Sequence, residues 1–499
     1  MGAAKTKTDF TTGRLFIKYL LFILPIVLTN LLQVTYNVAD MMVVSLSPEK
    51  NAVGAIGTTS SFVHMVLNLC FGISVGADVV LARNIGAKNK DGAQKTVHTS
   101  VLVALIFGGI AMLIGLFISR PVLAVMGNQG NLLDLATKYT SIYFAGLPFI
   151  ALTNFLSAVF RAKGNAKLPL IVLSLSGLVN VGLNFFFVLV VGLSVEGVAL
   201  GTVLSNVVSS MVLFVALCRQ TDETKLCVRK LKIHAKTFGE ILWIGLPAGL
   251  QSALFSLSNM IIQSSIVKVN NATLSELYGG SFSPEVYQPI VNGNAAAANL
   301  ETFVYTSMNA VYQGTVSVTS QNVGAKQHKR LKRIIKCALL LTAIVFAVMG
   351  SLVFFLRKPL LSMYGIVGGA EGSLEQLAMQ AALTRMAFIC VPYALCGWME
   401  DWSGMLRGMG KSVTSTVLSI FGAIIFRIVW IFTVFRAFPT LESIFISYPI
   451  SWLLTGIAAH IAVQYYIRKN KREWESEEQK PEIVDVEDSK EKQNQEEVE

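Results

Sequence analysis

Arg83-Asn84-Ile85-Gly86-Ala87-Lys88, set between two long apolar runs, reappears as Gln321-Asn322-Val323-Gly324-Ala325-Lys326. The repetition extends outward from this pair. Leu24-Pro25 is answered by Leu246-Pro247, and Arg161-Ala162-Lys163-Gly164-Asn165 by Arg407-Gly408-Met409-Gly410-Lys411. In chain order the offsets between copies are 222, 238 and 246 residues. Two parallel copies of one polytopic unit are the pattern of a carrier that rocks one half against the other around a shared site.

Composition agrees with that reading. Of 499 residues, 53% are hydrophobic and only 14% charged, too apolar for a soluble protein whose surface needs charge. Twelve runs approach or exceed the roughly 20 residues that cross a bilayer. They cover 15–45, 53–80, 95–119, 138–160, 168–192, 196–218, 238–268, 299–320, 334–356, 378–405, 412–435 and 443–467. The expected fold is an all-α polytopic membrane protein with twelve transmembrane helices in two parallel six-helix lobes. The N-lobe takes 15–218, a linker 219–237, and the C-lobe 238–467. Residues 1–14 and 468–499 flank them, and the polar start lacks the features of a cleaved secretory signal. The long first and seventh runs each carry a proline about ten residues in, Pro25 and Pro247, which predicts a kinked or tilted helix.

Lysine and arginine set the expected orientation. With both termini inside, the inner segments hold 32 of the 41 basic residues and the outer ones 7, a positive-inside asymmetry. The +11 net charge is therefore a topology signal; it does not point to nucleic acid. Cys70, Cys218, Cys227, Cys337, Cys390 and Cys396 lie in or near spans, with no disulfide or metal spacing. His64 and His460, inside spans, read as packed side chains in preference to a proton relay. The stretch 270–298, rich in Asn, Gly, Ser and Ala, reads as a long outer loop, an insertion in preference to a cap. From Glu473 on, the tail holds 12 of the 30 acidic residues and is expected to be disordered.

Ionisable and polar groups inside a bilayer are costly, so each is a functional candidate. Asp40 lies about five residues, roughly 8 Å, from the outer end of span one. Asn184 and Asn180, one turn apart in span five, and Thr202 in span six fall at the same depth. A carboxylate, two amides and a hydroxyl are hard oxygen donors suited to a small cation such as sodium, and Asp40 can alternatively hold a proton. At offset 222 Asp40 maps onto Ile262, so the lobes are chemically unequal. Gln33, Tyr36 and Asn37 share the outer half of span one and are cavity candidates. In the C-lobe, Glu301, Arg385 and Arg427 read either as a salt-bridged cluster or as cavity lining. Glu400 and Asp401, about two turns before Arg407, read as an inner gate or as a helix-terminal interaction, and Asp78 as interfacial. No Gly-rich phosphate loop with Lys and Ser or Thr is present, so neither an enzyme nor a nucleotide-driven pump is expected.

Pro25, Tyr36-Asn37-Val38-Ala39-Asp40, the paired Gly-Ala-Lys loops, the Arg-x-x-Gly loops and Asn180-x-x-x-Asn184 together resemble the MATE family of multidrug and toxic-compound extrusion transporters over residues 15 to 467. Ala298-Asn299-Leu300-Glu301 and Met399-Glu400-Asp401 resemble a bacterial branch of it. The resemblance implies V-shaped lobes, alternating access driven by sodium or proton entry, and efflux of organic, cationic, drug-like compounds. It carries an ion-binding role onto Asp40, Asn180, Asn184 and Thr202. Many relatives have a second carboxylate where this chain has Asn184, and another branch uses an acid in span seven where only Glu240 stands, so neither mechanism transfers whole. The expected protein is a monomeric antiporter of the plasma membrane with no cofactor and no nucleotide or nucleic-acid partner. A flippase for a lipid-linked saccharide, or a sensor or assembly factor on the same fold, are the rival readings.

Overall fold

Within a bilayer the backbone must satisfy its own hydrogen bonds, and helices do so within one segment. The computed structural model describes residues 8–47, 49, 51–126, 128–278 and 288–478, and no strand occurs among them. The N-lobe consists of α1 (Leu15–Ser45), α2 (Ala52–Gly86), α3 (Lys90–Val125), α4 (Gly130–Ala145 with Leu147–Ala162), α5 (Lys167–Val190) and α6 (Val195–Cys218). The C-lobe consists of α7 (Ala235–Tyr278), α8 (Pro289–Gly324), α9 (His328–Phe355), α10 (Leu374–Cys390 with Ala394–Gly408), α11 (Ser412–Phe435) and α12 (Leu441–Phe445 with Ser447–Glu478).

Nine of these are continuous helices long and apolar enough to span, and α4 and α10 are broken spans bent by 49° and 44°. The twelfth, α8, is 36 residues long but carries Asn, Thr, Ser and Gln along its length and does not reach that apolarity. It is held between neighbours on both sides: α1 and α2 of the other lobe, and α9 and α10 of its own.

The lobes meet through two contacts that the repeat relates: α1 against α8, and α2 against α7. Small residues bring the backbones together. A Cβ on Gly72 would strike the Gly249 backbone, and one on Gly245 would strike that of Ile73. Gly86 sits against the Gln321 carbonyl and Gly324 against the Arg83 carbonyl. Gln321 is the repeat counterpart of Arg83, so the contact is isologous, each half giving the same surface to the other. The signposts also share backbone conformation: Lys88 and Lys326 have φ of 56° and 53°, and Gly164 and Gly410 both have 76°.

The face bearing the Gly86–Lys90 and Gly324–His328 turns is the basic face. From mid-membrane to that face, hydrogen bonds cross between lobes. Asn30 donates to the Thr306 carbonyl at 2.9 Å, Tyr19 to that of Val311 at 3.0 Å, and Ser317 to Asp78 at 2.9 and 3.0 Å. Gln321 donates to the Ala162 carbonyl at 2.6 Å, and Arg330 reaches back to the Phe10 carbonyl at 2.9 Å. No cross-lobe hydrogen bond lies in the opposite half among the described residues.

Three expectations need correction. The stretch 270–298 is largely helix, as α7 runs to Tyr278 and α8 starts at Pro289; residues 279–287 lie outside the described residues. Two of its polar side chains face inward: buried Asn270 accepts from Ile290 N, and buried Asn294 donates to Gln263, while Asn271 and Asn292 are exposed. The tail is not disordered from Glu473, because α12 continues to Glu478. Lys469–Glu473 and Lys471–Glu475 pairs one turn apart support it, and Trp474 lies against His328. The acidic remainder, 479–499, lies outside the described residues. Asp78 is not interfacial: it is 3% exposed and accepts both bonds from Ser317 across the lobe boundary.

Candidate functional site

Asp40, Asn180, Asn184 and Thr202 come together between α1, α5 and α6, on the half of the membrane away from the basic face. Asn184 donates to Asp40 Oδ1 at 2.6 Å. The Asn180 carboxamide has two readings: as placed, it donates to Thr202 Oγ1 at 3.3 Å; turned over, it donates to the same Asp40 Oδ1 at 2.9 Å and accepts from Thr202 N at 3.2 Å. The second satisfies both ends of the amide and is the chemically sound one. Both amides then converge on one carboxylate oxygen. The Thr202 hydroxyl also faces the carboxylate, while it donates to the Val198 carbonyl at 3.0 Å.

Local sequence makes this arrangement. Gly201 on α6 leaves room for Asn184, since a Cβ there would run into Asn184 Oδ1. That oxygen is buried and has no hydrogen-bond partner. Asn184 is followed at once by a π-helical turn, Phe186–Val190, a geometry common at functional positions. Tyr36 is fixed by packing on Gly177 and by donating to the Ser174 carbonyl at 3.1 Å. Gln33 and Asn37, on the same helix, are exposed. Tyr139 and Tyr143, one turn apart on α4 with rings 5.9 Å apart, lie within electrostatic reach of Asp40. Sequence reading missed them; their i, i+4 spacing at the outer end of span four was the available signal.

No basic side chain pairs with Asp40 among the described residues, and no group of three or more His, Cys, Asp or Glu that would hold a metal occurs among them. The donor set is one carboxylate plus amide and hydroxyl oxygens. Such a set suits a weakly held hard cation or a proton and is poor for a transition metal.

The C-lobe candidates do not form one cluster. Glu301 and Arg385 make a buried bidentate pair, with nitrogen–oxygen distances of 2.7 to 3.1 Å, and Arg385 also donates to Asn294 at 2.8 Å. Arg427 lies within electrostatic reach of Arg385 but bonds neither member of the pair. It donates to Ser451 at 2.9 Å, lies over the Tyr448 ring at 4.1 Å, and leaves Nη2 buried and unpartnered. Glu400 and Asp401 are not at a helix terminus. Glu400 accepts from Tyr305 at 2.8 Å and Asn309 at 3.1 Å. Asp401, fully buried, accepts from Thr342 at 2.7 Å and Thr315 at 3.3 Å, and Thr315 in turn bonds Tyr19 of the other lobe. Neither bonds Arg407, which reaches Tyr312 and Gln251 instead.

A two-lobed, twelve-helix membrane protein with a lone carboxylate set among neutral oxygen donors belongs to the class of polytopic carriers. The family is fixed by comparison: the MatE model matches residues 25–186 and 290–433, and the chain belongs to that family of multidrug efflux transporters. The "Probable multidrug resistance protein YoeA" of Bacillus subtilis is 27% identical over 415 residues, 80% of this chain and 83% of that protein. The "Multidrug export protein MepA" of Staphylococcus aureus is 25% identical over 452 residues, 90% of this chain and 93% of that protein. Among solved structures, the outward-facing conformation of a multidrug resistance MATE family transporter of the MOP superfamily superposes with a TM-score of 0.81 at 20% identity, covering 93% of this chain and 99% of that one. A MOP superfamily transporter from Pyrococcus furiosus gives 0.81 at 21% identity, covering 92% and 97%. At such identities these two show the fold.

Proposed function

We propose that this chain is a secondary active antiporter that couples entry of sodium or a proton at Asp40 to efflux of organic, cationic, drug-like compounds. It would work by alternating access, as a monomer in the plasma membrane with its basic face and both termini in the cytoplasm. The observation that carries the reading is the Asp40 cluster: a membrane-embedded carboxylate with amide donors on one oxygen, no basic partner among the described residues, and an unpartnered amide oxygen beside it. The names of the relatives support the substrate class.

Mechanistically, an anionic carboxylate away from water is disfavoured until a proton or cation neutralises it. Cross-lobe bonds only towards the basic face suit a state open to the other side, in which Asp40 can take its ion. Neutralisation relaxes the pull on the Asn180 and Asn184 amides and frees α1 to bend at Pro25, where the proline leaves a carbonyl unpaired. The ion drives the exchange only through unequal affinity for the two states. Glu301 neutralises Arg385, and Arg427 is enclosed by Tyr448 and Trp452, so the strongly cationic cavity that a lipid-linked saccharide flippase needs finds little support.

The test is purified protein in liposomes with imposed sodium or proton gradients and a panel of cationic dyes. Gradient-dependent dye movement is expected. Absence of any gradient-driven transport, together with saturable binding of a pyrophosphate-linked lipid, overturns the antiporter reading.

A further inference from the structure

We propose that the pocket between the starts of α1 and α9, on the basic face, binds the phosphate headgroup of an anionic phospholipid. The cavity measures about 640 Å³ and is lined by Arg14, Arg330, Arg333 and Lys336, with Leu15, Phe16, Ile17 and Cys337. Among the described residues, four cations and no carboxylate line it. Arg330 is committed on one side, its terminal nitrogens donating to the Phe10, Thr12 and Gly13 carbonyls. Its Nε is buried without a partner. The first turn of α1 adds free backbone N–H groups, since no side chain caps it.

The chemistry changes along the same two helices, as a lipid requires. Below the cationic rim, Ile17, Leu21 and Leu24 of α1 and Leu340, Ile344 and Val348 of α9 are exposed apolar side chains. A charged head above and acyl chains below match this order, and basic pockets between transmembrane helices are a recurrent site for anionic headgroups.

The internal repeat supplies a control within the molecule. By the repeat offsets, the counterpart of this pocket lies between Gly92–Thr99 of α3 and Ala235–Gly239 of α7. There the inter-lobe linker fills the place: Cys227 N donates to His98 at 3.1 Å, and His234 N to Thr99 at 3.3 Å. Arg14 and Arg333 have basic counterparts in Lys236 and Lys95, but the α1–α9 copy carries Arg330 and Lys336 where its mate has Gly92 and His98, and it stands open. Because it joins α1 of one lobe to α9 of the other, an occupant would brace the lobes at the basic face. This inference does not depend on the coupling role of Asp40.

The experiment is native mass spectrometry of the delipidated full chain, titrated with phosphatidylglycerol, phosphatidylcholine or inorganic phosphate. Phosphatidylglycerol should bind in preference to phosphatidylcholine. The double variant Arg333→Gln/Lys336→Gln should lose that binding by roughly tenfold or more, from two charges beside a headgroup. Lys329→Gln/Lys332→Gln removes the same charge from exposed positions one turn away and outside the lining, and should leave affinity within about twofold. All four residues are exposed, so both variants should fold, and matched melting temperatures check it. Equal losses in the two double variants, equal binding of the two lipids, or displacement of phosphatidylglycerol by inorganic phosphate at matched concentration each overturns the proposal.

Discussion

Replacing Asp40 by Asn should separate ion coupling from folding, and the geometry says why. Both amide donors, from Asn184 at 2.6 Å and Asn180 at 2.9 Å, end on Oδ1. An asparagine that keeps its carbonyl in that place retains both bonds and loses only their charge assistance, about 1 kcal/mol each. Asp40→Ala instead leaves two largely buried amide groups unpaired, at about 1–3 kcal/mol each, and opens a void. Stability should therefore fall by no more than about 2 kcal/mol for Asp40→Asn and clearly further for Asp40→Ala. Transport should not follow stability: neither variant can take a proton or neutralise a cation at this position, so both should lose gradient-driven transport in liposomes. Dye binding by Asp40→Asn, measured by fluorescence quenching, should survive. Full gradient-driven transport by well-folded Asp40→Asn refutes the reasoning and moves attention to Glu400 and Asp401.

Gly201→Ala should gain about 1 kcal/mol of helix propensity yet lower transport, because its Cβ displaces Asn184 from Asp40; unchanged ion affinity would count against the cluster. Asn184→Asp should shift ion preference or the pH profile of transport while activity persists, read from sodium and pH titrations in liposomes. Ser317→Ala leaves Asp78 with Arg161 at 3.8 Å as its remaining partner and should destabilise the basic-face closure by about 1–3 kcal/mol, seen as a lower melting temperature. In the linker, burial raises the Asp222 pKa, but hydrogen bonds from Thr224 and the Lys163 ammonium outweigh it, so the group sits below its usual 3.8. A depressed pKa contributes stability above the unfolded value that is lost as pH falls through the folded one. Thermal melts of the parent and Asp222→Asn should thus differ at neutral pH and converge below about pH 4. Single cysteines at Lys88 and Lys329 should be protected from an impermeant reagent in intact cells and one at Asn292 labelled; the reverse pattern would invert the orientation.

Much of the architecture was legible because it rests on one-dimensional signals. Apolar length, basic asymmetry and the Gly-Ala-Lys signposts gave the helix count, and the two lysines of those signposts do share a left-handed backbone. The Asp40 neighbours were legible too, since depth along three helices is simple arithmetic. What stayed hidden was partner choice across helices. Nothing local distinguishes Asn270, Gly293 and Asn294 as interior, because what they meet lies on other helices: Ile290 for Asn270, Ala378 for Gly293, and Gln263 and Arg385 for Asn294. Charge alone left Arg427 either in a salt-bridged cluster with Glu301 or lining the cavity, and could not show the aromatic faces that hold it. Asp78 looked interfacial by its distance from the loop, and only the lobe contact that brings Ser317 to it explains its burial.

The polarity of α8 bears on how the chain enters the membrane in the first place. A 36-residue helix studded with Asn, Thr, Ser and Gln has a weak drive to leave the translocon for lipid by itself. It comes to rest against α1 and α2, made long before it, and against α9 and α10, made after it. Its lateral release should accordingly wait on protein contacts, with the finished N-lobe receiving it much as a chaperone would. Biogenesis of the second half then depends on the first, and a C-lobe expressed without the N-lobe should stall or be degraded at α8 while the N-lobe alone inserts normally.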